Sequence, residues 1–546
     1  MRKLFFTMAA AALFTGCFSS DAKDAKSHEQ HKEMRTRSFT EDFKSARDWS
    51  LDAGAKFDPH VSAEAGSGSI RLSKTGDSWV TSDRIISNIK LPVKSGHTYT
   101  LSFKSKTESF PPPILEVYGA MLGDDGAIDN SNGTMCANSR KGKWEENYVV
   151  IKIPKNDMIK YFKPKILMAP KKSVSAPVWI DDVRFEEGLK LPPRSPKKSF
   201  TGTVTRVDSL GNIEIMKDGK FVPFFPLGIY TDGNSADWGK YQKMGFNMNM
   251  WASDAASIQK SKDAGLYAAM QIVQYIVPVG EDWIPQDPKK KRAHLHKTLQ
   301  DIRAKGLDKN LLFYYVDNEF YHLKPEFTDV IEIVREEDKK AHPLYMLSGA
   351  YGMARMYNDY IDFTGTYVAE DGYETPIVET LEVLDKTPGQ QQPAVIAQIN
   401  RGVGENFRPI LYGAIAKGAR GVGFWRDGGS AGKIEKRPVA RQLPKIAKEI
   451  KALMPLIRTS HETKWHASYD NQKLIFGTRT LDQKGYLIIA NPTRKKVTAT
   501  FTVDGLSYIP TKAEDYFSHR KITDVNKGKM QITVNPHDAV VVKLVP

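Results

Sequence analysis

The sequence predicts a multidomain protein of the α/β-plus-β class, a central (β/α)8 barrel flanked by an N-terminal β-jelly roll and a C-terminal antiparallel β-sandwich. Eight short apolar runs alternate with helical stretches across residues 201–459, the strand count and the span of about 250 residues that such a barrel needs. On both sides the helical period disappears and β-rich runs separated by turns take over. The 546 residues make room for about three domains. A content of 40% hydrophobic and 10% aromatic residues fills several cores, which excludes a disordered or fibrous chain.

The N-terminus reads as an export signal over residues 1–16: Arg2 and Lys3, then the apolar Leu4–Leu13, then Phe14-Thr-Gly-Cys17. At about a dozen residues the apolar stretch is too short to span a bilayer core of about 30 Å. The last four residues resemble a bacterial lipobox, with Phe14 at the position usually held by Leu. The resemblance implies a lipidated Cys17 as the first mature residue, a membrane anchor, and a place in the bacterial cell envelope. Residues 17–37 are polar and charged and read as a flexible tether. With Cys17 lipidated, Cys136 has no partner for a disulfide. The formal charge is +15, from 79 basic and 64 acidic residues, and loss of Arg2 and Lys3 lowers it by two to +13. No long basic block accompanies it, so the composition favours an anionic partner without describing a nucleic-acid reader.

Residues 38–190 hold the runs Ser69–Ser73, Trp79–Ile86, Thr98–Lys106, Ile114–Leu122, Tyr148–Ile153, Lys165–Met168 and Val178–Phe185. Tyr99–Lys106 and the closing Val178–Phe185 resemble the jelly-roll carbohydrate-binding modules attached to polysaccharide-degrading enzymes. Trp79, Tyr118 and Trp144 are the aromatics that could stack on sugar rings there. Residues 191–200, with Leu191-Pro-Pro-Arg-Ser-Pro-Lys-Lys198, read as a stiff, charged linker. The barrel strands are expected at Phe225–Tyr230, Phe246–Trp251, Tyr267–Val273, Leu311–Glu319, Leu344–Ser348, Ile361–Val368, Ala394–Ile399 and Gly421–Trp425. No Gly-rich phosphate loop follows the first, which argues against a dinucleotide-binding sheet. Residues 460–546 return to short strands and read as a supporting sandwich.

In such barrels chemistry sits at the C-terminal ends of the strands. Those ends carry Tyr230 and Asp232, Trp251 and Asp254, Gln271, Gln274 and Tyr275, Asp317, Asn318 and Glu319, and Tyr351. The later strands add Tyr367, Glu370 and Asp371, then Gln398, Asn400 and Arg401, then Trp425, Arg426 and Asp427. Carboxylates, amides and aromatic planes, without a Ser-His or Cys-His pair or clustered metal ligands, describe a sugar-binding cleft that needs no cofactor or metal.

Phe313-Tyr-Tyr-Val-Asp-Asn-Glu319 resembles the fourth strand of clan A glycoside hydrolases. The resemblance implies that Glu319 is the general acid/base and Asn318 the ligand of the sugar 2-hydroxyl, with Trp425 as the floor of the subsite beside the cleaved bond. That clan places a nucleophilic Glu on the seventh strand, where this chain has Gln398, and an amide can neither attack nor act as a base. The second carboxylate then comes from Glu370 or Asp371, from Asp427, or from Asp317. The first two rank highest, because separate strands can flank a scissile bond. Asp317 and Glu319, two residues apart on a strand, point the same way, and with Tyr367 they also resemble the Asp-x-Glu and Tyr of substrate-assisted hexosaminidase-type barrels. Arg401 and Arg426 read either as contacts for a sulfate or uronate or as partners of the nearby acids. The expected function is glycoside hydrolysis of a polysaccharide or oligosaccharide, with an anionic glycan as the substrate that the charge favours. The alternative is a non-catalytic surface polysaccharide-binding lipoprotein with a degenerate barrel. The oligomeric state is not legible.

Overall fold

The computed structural model describes residues 38–131, 133–231, 237–276, 287–317, 325–369, 377–399, 406–427, 434, 438–471 and 473–546. Cys17 and the tether lie outside the described residues.

The N-terminal domain is a sandwich of a six-stranded and a seven-stranded antiparallel sheet. Alternation along Thr98–Thr107 turns Leu101 and Phe103 inward, and along Val178–Glu187 an irregularity between Asp181 and Arg184 lets both Ile180 and Phe185 join the same core with Phe162 and Trp49. A four-stranded antiparallel sheet over residues 200–224 follows, which the sequence reading missed. Its Val207, Ile213 and Ile215 join the cluster that fills the barrel interior, so it plugs the bottom of the barrel.

The barrel is closed and parallel. Its strands are β1 (Leu227–Thr231), β2 (Met248–Ala252), β3 (Tyr267–Gln271), β4 (Leu311–Asp317), β5 (Leu344–Ser348), β6 (Phe363–Ala369), β7 (Ala394–Ile399) and β8 (Gly421–Asp427). All eight lie within two or three residues of the expected positions. Helices α1 (Trp238–Lys243), α2 (Ala255–Asp263), α3 (Pro288–Ala304), α4 (Pro325–Asp338), α5 (Glu379–Lys386), α6 (Phe407–Ala416) and α7 (Val439–Ile457) accompany them. Between β5 and β6 the described connection is a 3-10 segment, Tyr351–Tyr357, instead of an α-helix.

That segment is where the sandwich docks. Val150 N–H donates to the Tyr351 hydroxyl at 3.1 Å. Arg355, 1% exposed, donates to the carbonyls of Ala137 and Glu146 and to Asn147 Oδ1. Ile114, Ala137, Val150 and Ala169 of the sandwich belong to the same apolar cluster as the outer face of the barrel. The charged stretch expected to be a linker is a strap held down along its length. Arg194 pairs with buried Asp385 through two nitrogens, and buried Lys197 donates to the Gln390 carbonyl at 2.7 Å. Burial against these partners outweighs the solvation that its composition suggests.

The C-terminal sandwich, of three and five antiparallel strands, packs Ile475, Tyr486, Ile488 and Val541 into the core that α6 and α7 share. Among the described residues no helix is long and apolar enough to cross a membrane.

Candidate functional site

The mouth of the barrel is built from residues that strand alternation turns inward. Along β4, Phe313 and Tyr315 lie two apart and share the interior with Tyr345 of β5, Phe363 of β6 and Ile396 of β7. Tyr315 and Tyr345 stack at 5.4 Å. Above them, Tyr230, Trp251 and Trp425 meet pairwise with ring centroids 4.9–5.8 Å apart. Tyr230 is buried, whereas Trp251 and Trp425 are only partly so.

Trp251 reaches this cluster through a break in the β2–β3 register between Asn249 and Ala252. Its backbone N–H donates to Asn249 Oδ1 at 2.8 Å, and the Asn249 amide is anchored on Ser261 Oγ at 3.0 Å. The two tryptophan planes stand at 81°. They form a floor and a wall, each with surface open to the mouth, and the apolar face of a pyranose suits such a corner.

Below the tryptophans lies a polar layer. Gln398 is 0% exposed and pairs in the backbone with Gly423 on one side and Tyr367 on the other. Among the described residues neither end of its amide has a hydrogen-bond partner, which costs about 1–3 kcal/mol for each unmet group. Gly423 makes the site possible, since a Cβ there would collide with Gln398 Oε1. The Tyr345 hydroxyl is likewise buried and without a partner among the described residues. Burial pushes the hydroxyls of Tyr230 and Tyr345 well above the usual phenol range, so they remain O–H donors at any working pH. The layer offers donors and acceptors of neutral type, suited to hydroxyls.

Other sequence candidates are taken up elsewhere. Asp254 caps α2 by accepting from Ser257 N–H at 2.7 Å. Tyr351 belongs to the sandwich interface, and the Tyr275 hydroxyl pairs with His294 Nδ1 at 3.0 Å. Tyr367 is partly buried beside Gln398. Asn318, Glu319, Glu370, Asp371 and Arg401 lie outside the described residues, as do Asp232 and Asn400. For Asp317, Arg426 and Asp427 only the backbone is described. Asp317 pairs with Met346, and Asp427 pairs with Thr231 where β8 meets β1. Tyr315 and Tyr345 were not singled out from the sequence, although the two-residue period Phe313, Tyr315, Asp317 already marked one of them as inward. Among the described residues no group of three or more His, Cys, Asp or Glu could hold a metal ion.

The aromatics of the N-terminal sandwich do not form one surface. Trp79, 43% exposed, stands edge-on to Tyr118 at 5.7 Å, and Lys165 Nζ lies 5.5 Å from the Tyr118 ring centre. Trp144 precedes a strand of the other sheet.

No protein-family model and no curated protein matches the chain. Its architecture is distantly similar to barrel-type glycoside hydrolases among solved structures. A noncanonic maltogenic α-amylase from Thermotoga neapolitana aligns over 59% of this chain and 99% of its own, at 13% identity and a TM-score of 0.39. The CBM22-1 and GH10 modules of a Clostridium thermocellum endo-1,4-β-D-xylanase cover 74% of this chain and 95% of theirs, at 11% identity and a TM-score of 0.30. The CBM22-2 xylan-binding domain from Paenibacillus barcinonensis covers 28% of this chain and 99% of its own, at 14% identity and a TM-score of 0.23.

Proposed function

We propose that this protein is a glycoside hydrolase acting on the O-glycosidic bonds of a polysaccharide or oligosaccharide, with Glu319 as general acid/base. The observation that carries the reading is the mouth of the barrel. Two perpendicular, partly open tryptophans stand over a buried layer of unmet amide and hydroxyl groups, which matches the two chemistries of a sugar, ring faces and hydroxyls.

In this reading Glu319 protonates the leaving oxygen and Asn318 holds the 2-hydroxyl. Asp317, two residues away, raises the Glu319 pKa through like charge. Glu370 or Asp371 supplies the second carboxylate, either as the nucleophile or as the base for a water on the opposite ring face. A carboxyl separation of about 5–5.5 Å from Glu319 implies retention of configuration, and about 6.5–9.5 Å inversion. Arg401 and Arg426 add cations that suit a sulfate or uronate.

The test is Glu319→Gln in a reducing-end assay on glycans found by a polysaccharide screen. Loss of at least about a hundredfold on substrates with poor leaving groups is expected, and unchanged turnover overturns the assignment. A second reading is favoured by one specific observation, the neutral Gln398 on the strand where the resembled clan carries its nucleophile. There the barrel is a glycan-binding site without turnover, and the same screen returns ligands but no products.

The lipobox-like Phe14–Cys17 supports an envelope location with the chain anchored through Cys17. Cys17→Ser is expected to leave the protein exported but free of membranes. Retention of the variant in the membrane pellet overturns the anchor.

A further inference from the structure

We propose that the N-terminal sandwich carries a second sugar site, a cavity on the outer face of its six-stranded sheet that takes one neutral pyranose unit of a glycan. The inference adds to the glycan reading of the barrel and rests on it for the class of ligand. The cavity measures about 130 Å³, the liquid volume of about four waters. It admits one ring and not a chain laid along it. Tyr118, which meets Trp79, belongs to the seven-stranded sheet, so this site is on the other side of the sandwich from that pair.

Strand register builds the cavity. Ser102 of Thr98–Thr107 pairs with Tyr148 of Glu145–Lys152 on one side and with Arg184 of Val178–Glu187 on the other. Alternation with the core residues Leu101 and Phe103 turns Ser102 outward. Neighbouring strands run about 4.8 Å apart, so Tyr148 and Arg184 rise about 10 Å from each other with only a serine between them. Two long side chains flanking a short one leave a slot, and Leu191 and Pro192 of the strap form one of its walls. The anchors at Arg194 and Lys197 fix that wall, and a wall already in place needs no ordering when a ligand arrives.

The irregularity between Asp181 and Arg184 puts Asp182 at φ 52°, in the left-handed region that a non-glycine residue enters at a cost. The strained backbone holds a fixed fork. Asp182 is 8% exposed and accepts from Arg184 Nε and Nη2, each at 2.8 Å, while Lys104 Nζ lies 2.9 Å from its Oδ2. The guanidinium plane is thereby held, with Nη1 left over. Across the slot the Tyr148 hydroxyl donates to Glu146 Oε2, which steadies the ring and leaves Oε1 over. Glu186 and Lys190 line the same cavity, and their charged ends have no hydrogen bond or ion pair among the described residues.

The groups left over alternate in kind. Arg184 Nη1 and the Lys190 ammonium donate, and Glu146 Oε1 and the Glu186 carboxylate accept. Over the whole lining, Lys104, Arg184 and Lys190 balance Glu146, Asp182 and Glu186, so the cavity favours neither an anion nor a cation. Sugar hydroxyls both donate and accept, and they satisfy such a set without bringing charge. The Tyr148 ring, Leu191 and Pro192 supply apolar surface for the C–H face of a pyranose.

The experiment soaks crystals of the full chain in methyl β-D-xylopyranoside, methyl β-D-glucopyranoside and methyl β-D-galactopyranoside. The same glycosides are titrated in solution by calorimetry in the Trp425→Ala background, which removes stacking at the barrel mouth. At least one is expected to give ring density between Tyr148 and Arg184, and to bind in solution with an affinity that does not change between about 0.1 M and 1 M salt. Adding Glu186→Ala or Lys190→Ala, at half-buried and exposed positions, is expected to weaken that binding at least about tenfold, the worth of one hydrogen bond to a charged group. Only ordered water in the cavity with all three glycosides overturns the proposal. So does ring density without solution binding, which is binding at crystal concentration only, and so does solution binding that both alanine variants leave intact. Density in the cavity with an empty barrel mouth supports this site and counts against the barrel reading, and density at the mouth alone does the reverse.

Discussion

Replacing Arg355 with Met should separate the N-terminal sandwich from the barrel. Three guanidinium nitrogens of Arg355 are committed across the interface: Nε to the Ala137 carbonyl at 3.0 Å, Nη1 to the Glu146 carbonyl at 2.8 Å, and Nη2 to Asn147 Oδ1 at 2.7 Å. The Met side chain fills most of the same volume, so the cavity contribution is small. What is lost is the partner of three buried acceptors, at about 1–3 kcal/mol each before relaxation. Glu145 also loses the charge 4.0 Å away that helps hold its carboxyl below the usual range despite burial. It keeps Ser139 and Arg140. The sum, about 4 kcal/mol after partial relaxation, is a large part of the 5–15 kcal/mol that stabilises a typical domain. Scanning calorimetry is the assay. The unaltered chain should unfold sandwich and barrel together, and the variant should show an earlier, separate sandwich transition. Tyr351→Phe, which removes one acceptor for Val150 N–H, sets the scale at about 1 kcal/mol. If Arg355→Met costs less than about 1 kcal/mol and leaves a single transition in place, the interface is not held in this way.

Three other outcomes follow from the same reasoning. Gln398→Leu removes two unmet buried groups, so the free protein should gain about 2–6 kcal/mol in urea unfolding while glycan affinity falls; a loss of stability would show that the amide is satisfied. Trp425→Ala should weaken glycan binding by at least about tenfold in affinity electrophoresis with the fold intact, and unchanged mobility would remove Trp425 from the floor. Burial, with Arg479 and Arg420 beside it and Asp385 and Glu382 opposing, lowers the His461 pKa from 6.5 to about 3. The folded state therefore binds fewer protons, and the stabilisation is complete above pH 6.5 and lost as pH falls toward 3. Between pH 7 and 4.5 this amounts to about 3 kcal/mol. His461→Gln should lose that much less stability than the unaltered protein over this interval, and parallel pH profiles would refute it.

The barrel was legible because its strands are buried on both faces and so read as continuous apolar runs with polar ends, a pattern independent of what the loops do. Leu344–Ser348 and Ala394–Ile399 were located to the residue because nothing but packing decides them. The strap at Arg194 and Lys197 was misread for a physical reason. Charge and proline signal solvent exposure only when no partner waits, and Asp385 and the Gln390 carbonyl lie about 190 positions further along the chain. Tyr351 was misread for the same reason: it looked like a rim residue until the sandwich occupied it. In each case the deciding contact is distant in sequence, which no local period records. The floor of the cleft was partly legible. Trp251 and Trp425 stood out as aromatics at strand ends, while Tyr315 and Tyr345 were hidden inside runs that read simply as apolar.

The same mouth also constrains the charge of the substrate. The described part of the cleft is neutral: indole faces, a primary amide and phenols held protonated by burial. On the proposed function, a preference for a sulfate or uronate rests on Arg401 and Arg426 and on the overall excess of basic residues. These contributions differ in range. Stacking on Trp251 and Trp425 is insensitive to salt, whereas attraction of a polyanion weakens as the Debye length shrinks from about 10 Å at 0.1 M to about 3 Å at 1 M. Binding that falls steeply over this range, and falls less in Arg401→Ala and Arg426→Ala, assigns the specificity to the rim. Binding that barely moves leaves the neutral floor as the whole of the recognition, and the substrate is then a neutral glycan.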